Sequence, residues 1–172
     1  MSVTYRDAVA GDAQALADFW RETFTATFGA LYPVADLKRF IAESYVRAAV
    51  AGELADGENS HRLAVEGETI VGASKLGAFK LPHEADVAHP LELHRLYVVA
   101  AAKGTGVADA LMAWTKTRAR AQGAEALYLG VYQGNERAQR FYARHGFSIV
   151  GEYLFEVGET RDPEYIMRCA LA

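Results

Sequence analysis

The chain has 172 residues, of which 51% are hydrophobic and 23% charged, with a net charge of -4. That length fits one domain spanning 1–172 with a full core, and the acidic balance argues against nucleic acid as a partner. No apolar run approaches the ~20 residues of a membrane span, and "MSVTYRDAVAGD" lacks the pattern of a signal peptide, so a cytoplasmic protein without a membrane partner is expected.

Val3 to Ala8 alternates and predicts a strand. Gly11-Asp12 opens a helix with Asp12 as N-cap, and Leu16, Phe19, Trp20, Thr23 and Phe24 recur along it at helical spacing. Pro33 restarts the chain into a second helix, with Leu37, Phe40, Ile41 and Tyr45 on one face. "AGELADGENS" reads as a polar loop. Two strands follow, "HRLAVEG" and "TIVGASKLGAF", joined by a hairpin signal at Glu66-Gly67-Glu68. "LPHEADVAHP" is a loop, and Leu91 to Val99 is strand again. The turn Lys103-Gly104-Thr105-Gly106 then leads into a helix ending near Gly123. "ALYLGVY" is a strand, and "GNERAQRFYARHG" is a short helix capped by Asn135 and stopped by Gly146. "FSIVGEYLFEV" and "EYIMRCAL" close the chain as an antiparallel pair.

The order is one strand, two helices, three strands, helix, strand, helix and two strands. It predicts an α/β fold with a mixed, largely antiparallel sheet of about seven strands flanked by helices. The unit from Leu91 to Tyr132 is expected to be its parallel crossover. The single cysteine, Cys169, excludes an intrachain disulfide and sits in an apolar run, as a buried thiol would. His61, His83, His89 and His145 lack the spacing of metal ligands, so no metal is expected.

The glycine turn carries the chemistry. A helix N-terminus presents unpaired N–H groups and partial positive charge, and glycines let a phosphate approach them closely. This is neither a P-loop nor a dinucleotide fingerprint, since Asp109 stands where the latter needs a third glycine. By itself the pattern fits a plain turn equally well.

The surrounding residues extend the pattern. "LYVVAAAKGTGVADALM" resembles motif A of the GNAT superfamily, the GCN5-related N-acetyltransferases. Leu96-x-Val98 ends the strand, and Lys103, Gly106 and Ala108 occupy the defining positions. Lys103 replaces the usual Gln or Arg, and Ala100 stands where Pro is frequent. "NERAQRFYARHGF" is similar to motif B, with Asn135, Ala138, Phe141, Tyr142, Gly146 and Phe147 in register.

The resemblance implies an N-acetyltransferase that uses acetyl-CoA. Lys103, Gly104, Thr105, Gly106, Val107 and Ala108 would hold the pyrophosphate. The pantetheine arm would run between splayed strands containing Val98 and Val131, with Leu96, Tyr97, Val98 and Asn135 as further contacts. Tyr142 would be the general acid for the departing thiolate, and its ordinary pKa near ~10 keeps the proton available. Glu92 is the candidate base, with His94 second and a water chain as the family's alternative. Period-two alternation puts Glu92, His94, Leu96 and Val98 on one face of their strand, and Leu93, Arg95, Tyr97 and Val99 on the other.

Phe24, Phe28 and Tyr32 read as a core stripe. Glu22, Asp36 and Glu43 would draw a cationic substrate or form a solvated face. The composite resembles bacterial polyamine acetylases, so the expected partner is a small-molecule amine, a polyamine among them. A protein or peptide amino group, and a non-catalytic acyl-CoA sensor, are the alternatives. Homodimers are frequent in the superfamily.

Overall fold

The computed structural model describes residues 2–171. A seven-stranded sheet runs in the order β1-β2-β3-β4-β5-β7-β6. Its strands are β1 (Thr4–Asp7), β2 (Ser60–Glu66), β3 (Thr69–Ala78), β4 (Pro90–Val98), β5 (Ala126–Tyr132), β6 (Ser148–Val157) and β7 (Thr160–Ala170). Every neighbouring pair is antiparallel except β4 and β5. This is the mixed α/β architecture that the element order predicts.

Five α-helices flank the sheet: α1 (Ala13–Phe28), α2 (Val34–Ser44), α3 (Arg47–Ala55), α4 (Val107–Ala121) and α5 (Glu136–Arg144). The sequence predicts only four. Part of α3 lies in the stretch read as a polar loop, and its single buried residue, Val50, is too little to announce an amphipathic face. Asp12 precedes α1, but its carboxylate accepts from the Val9 N–H at 2.8 Å and pairs with Arg6, so it braces the preceding turn rather than the helix.

Two cores sit on opposite faces of the sheet. Leu16, Trp20 and Phe24 of α1 pack with Val50, Leu63 and Ala73 on one side. On the other, Met112 and Ala119 of α4 join Leu76, Leu93, Leu127 and Phe147, with Phe141 and Tyr142 of α5 against them. Cys169 is buried in this second core.

The site follows from where β4 and β5 stop pairing. Only Pro90↔Ala126, Leu91↔Leu127 and Glu92↔Tyr128 are in register. Beyond Glu92 the strands diverge, while β4 stays on β3 up to Val98↔Gly72 and β5 stays on β7 up to Tyr132↔Glu164. The result is a wedge open toward the glycine turn.

The faces of β4 depart from simple alternation. Leu76 pairs with Leu93 and Lys75 with Arg95, which leaves His94 as the extra residue of a β-bulge. Leu93, Leu96 and Val98 consequently share the α4 side, while Arg95 and Tyr97 face α1. Glu92 therefore does not share a face with Leu96 and Val98. The bulge shifts the phase by one residue.

Candidate active site

A cavity of about 980 Å³ occupies the wedge. Of the residues singled out in the sequence, Glu92, His94, Leu96, Tyr97, Val98, Lys103, Ala108, Asn135 and Tyr142 line it. Gly104, Thr105, Gly106 and Val107 form the adjoining turn and the start of α4.

The turn has the open backbone geometry that an anion site requires. Gly104 and Gly106 have φ of +78° and +90°, in the region that disfavours side chains, and open space lies where each Cβ would project. The first bond of the α4 ladder runs from the Ala110 N–H to Gly106 O at 3.0 Å, which leaves the preceding helix-start N–H groups for a ligand. Val107 takes part through its backbone alone, since its side chain is buried against Ala64 and Val71. Asp109 would repel phosphate in this first turn, but its carboxylate is held by His145 Nε2 at 2.8 Å. Lys103, Arg137, Arg140 and Arg144 put positive charge along this end of the cavity.

The wedge supplies unpaired backbone. The Val99 N–H donates to Val71 O at 3.0 Å, so antiparallel alternation turns the Leu96 and Val98 N–H groups away from β3 and into the gap. The Tyr97 ring points to the opposite side, edge-on to Trp20 at 5.9 Å, and leaves its backbone at the wedge. Asn135 caps α5 by accepting from the Ala138 N–H at 3.2 Å, which occupies its side-chain oxygen. Together the glycine turn, the free β4 amides and the cavity fit a phosphorylated, extended thioester cofactor.

Tyr142 faces the wedge from α5. Its ring packs edge-on against Phe141 and Phe147, at 5.5 and 5.8 Å. Burial, reinforced by the nearby Glu164 carboxyl, pushes its hydroxyl up to about 12, so it holds its proton at neutral pH.

Glu92 sits at the apex of the wedge. Burial raises its carboxyl above the usual range. Oε2 accepts from the Lys80 N–H at 2.8 Å, which fixes the group. His94 Nε2 lies 3.8 Å from that oxygen and 2.8 Å from Ala78 O. A carbonyl only accepts, so Nε2 carries the hydrogen. Burial lowers the His94 ring to about 4, which makes it a weak base.

Beside it stands an ion-pair cluster that the sequence did not announce. Glu53 of α3 binds Arg95 at 2.8 and 3.0 Å and Lys75 at 3.1 Å. Burial alone would raise the Glu53 carboxyl, but the His61 ring, with Nε2 3.9 Å away, and the hydrogen-bonded Arg95 hold it far below the usual range. Arg95 also lies over the Trp20 and Tyr45 rings, at 5.4 and 5.1 Å.

The far wall belongs to α1, α2 and the β6–β7 hairpin. Phe24, Phe28 and Tyr32 pack together as a core stripe would, yet all three line the cavity. Tyr32 donates to Asp162 on β7, and Thr160 Oγ1 donates to Asp36 at 2.8 Å. Asp36 thus pins α2 to the hairpin, and Glu22, Asp36 and Glu43 are not among the lining residues. Tyr153 and Glu164 also line the cavity, and the sequence marked neither as functional. Burial, with Asp162 adding to it, pushes the Glu164 carboxyl up to about 8.

No group of three or more His, Cys, Asp or Glu residues among those described is placed to hold a metal. No helix among them is long and apolar enough to cross a membrane.

Residues 14–147 match the Acetyltransferase (GNAT) family. An uncharacterised N-acetyltransferase of the pepI 3' region in Lactobacillus delbrueckii subsp. lactis is 30% identical over 152 residues, covering 88% of this chain and 87% of that protein. The crystal structure of the PaiA N-acetyltransferase from Thermoplasma acidophilum in complex with coenzyme A has a TM-score of 0.80 at 20% identity, covering 99% of both chains. An N-acetyltransferase structure from Staphylococcus aureus gives 0.74 at 20% identity over the full length of both. These structures share the fold. The family match and the Lactobacillus relative identify the chain as a member of the GNAT family, an acetyl-CoA-dependent N-acetyltransferase.

Proposed function

We propose that this enzyme acetylates the primary amine of a small molecule, with Tyr142 as general acid and Glu92 as general base. The observation that carries the reading is the wedge itself: free β4 amides on one side, Tyr142 on another and a carboxylate at its apex. Acetyl-CoA supplies the activated acetyl group and leaves as a thiol. The turn from Lys103 to Ala108 would hold its pyrophosphate, and the Val98 N–H would stabilise negative charge developing on the thioester oxygen.

An alkyl amine with pKa ~10 is about a thousandth deprotonated at pH 7, so a base is needed to recover the nucleophile. A positioned group contributes ~10²–10⁴-fold, the right scale. Glu92 takes one of the two protons that the nitrogen sheds. Tyr142 gives its hydroxyl proton to the sulfur as the C–S bond breaks and the N–C bond forms, and recovers the nitrogen's second proton. His94, neutral and with Nε2 committed to Ala78, orients beside Glu92 rather than acting in its place.

The closed acceptor side favours a small molecule over a polypeptide, because the contacts Tyr32–Asp162 and Asp36–Thr160 tie α2 and its approach to the hairpin. A screen of free amines and peptides with acetyl-CoA, read by free-thiol release, tests the reading. Turnover with small amines is expected. Turnover with peptides alone would overturn it, and binding of acetyl-CoA without turnover on any amine would make the protein a sensor.

A further inference from the structure

Resting on the reading of a small primary amine as acceptor, we propose that Glu164 docks the acceptor's ammonium and that the chamber around it selects an amine on a flat apolar body, an arylalkylamine, over a linear polyamine. Three observations carry this.

The first is placement. Glu164 pairs with Tyr132 on one side and Tyr153 on the other, at the open end of the wedge. It acts electrostatically on Tyr32, Tyr97, Tyr142 and Tyr153, groups from α5, β4, β6 and the segment after α1. One carboxylate thus looks onto both the acceptor wall and the catalytic hydroxyl. Tyr153 feels Glu92 as well as Glu164, and all three line the one cavity.

The second is the lack of a partner. Glu92 is held by the Lys80 N–H, Glu53 by Arg95 and Lys75, and Asp162 by Tyr32. None of the described residues hydrogen-bonds to or ion-pairs with the Glu164 carboxylate. A desolvated carboxyl left without a counter-charge on a cavity wall holds its proton near neutral pH and ionises when a cationic ligand supplies that charge, so the site is suited to one.

The third is the balance of the wall. Phe24, Phe28, Tyr32, Phe40, Tyr45 and Phe155 line the acceptor side, with Phe24–Phe40 rings at 4.9 Å and Phe40–Phe155 at 5.8 Å. Such faces favour flat apolar groups, and they attract a single ammonium. Apart from Glu164, the charged lining contributed by β3, β4 and the residues between them is Lys75, Lys80, Glu92 and Arg95, with Glu53 behind Lys75 and Arg95. Three cations against two carboxylates leave one unmatched positive charge in that lining, and like charges disfavour the second ammonium of a polyamine. One ammonium has a partner, and further ones do not.

The experiment measures kcat/KM for phenethylamine and for putrescine with saturating acetyl-CoA, in the wild type and in Glu164→Gln, alongside melting curves and acetyl-CoA affinity. Phenethylamine is expected to exceed putrescine by about tenfold or more in the wild type. Glu164→Gln should raise the KM for phenethylamine by ~10–100-fold, the worth of a charged hydrogen bond, and leave acetyl-CoA affinity within about twofold. The wild-type comparison does not depend on any variant folding. Preference for putrescine, or an unchanged amine KM in folded Glu164→Gln, overturns this inference and leaves the acetyltransferase reading standing. Absence of turnover with every amine overturns the underlying reading instead.

Discussion

Gly130 of β5 lies directly beneath the hydroxyl of Tyr153 on β6, so that a Cβ at position 130 would collide with the phenol oxygen. The missing side chain lets the Tyr153 ring reach across β7 and over β5 into the cavity that Glu164 and Glu92 also line. Gly130→Ala is expected to destabilise the protein by about 1–3 kcal/mol, the usual cost of overpacking. Turnover should fall with it, because the displaced ring disturbs both carboxylates. Adding Tyr153→Ala should relieve the collision, so chemical denaturation of the two single variants and the double should give a non-additive cycle. Strict additivity would mean that the contact is not felt.

Glu164 makes stability depend on pH in a direction opposite to that of a salt-bridged acid. Its folded value of about 8 lies above the ordinary 4.5. Between those values the folded state binds more protons than the unfolded one, so this group's contribution to stability is lost as pH rises from about 4.5 through about 8. Glu92 acts in the same direction. Glu164→Gln, which has no charge to bury, should flatten the fall in melting temperature across that window and melt above the wild type at its alkaline end. Parallel curves for the two proteins would contradict the desolvated carboxyl.

Glu92→Gln removes the proposed base while keeping an oxygen for the Lys80 N–H. Turnover at neutral pH should drop by ~10²–10⁴-fold. The deficit should shrink as the pH approaches the pKa of the amine, because the nucleophile is then already neutral. Acetyl-CoA affinity should hold. A loss that is the same at every pH would assign Glu92 to bracing the loop at Lys80 and pass the proton to water.

Much of the fold and of the glycine-turn end of the cavity was legible because it is local. The glycine turn, the helix behind it and the Asn135 cap are each written in a few adjacent residues, and the structure places them together at one cavity. The faces of β4 were not legible, because alternation assumes an unbroken ladder. The bulge at His94 is accommodated from the partner strand, where a Cβ on Gly77 would meet His94 Cε1 at 2.7 Å. Glu164 was hidden for the same kind of reason. It becomes a pocket residue only through its pairing with Tyr132 and Tyr153, which are far from one another in the chain and carry no shared motif. The Glu53 cluster depends on α3, whose short, weakly amphipathic sequence gave no sign of the Arg95 and Lys75 it meets.

Tyr142 carries the central claim, that the wedge is a catalytic site with its acid on α5. The most direct measurement is steady-state turnover of Tyr142→Phe with acetyl-CoA and a good amine, accompanied by a melting curve. The substitution removes one oxygen and keeps the ring contacts with Phe141 and Phe147. Turnover should fall by ~10²–10⁴-fold, with the KM for acetyl-CoA nearly unchanged, because the lost interaction is made in the transition state. Near-wild-type turnover in a well-folded Tyr142→Phe would contradict the account and leave Tyr142 as a packing residue.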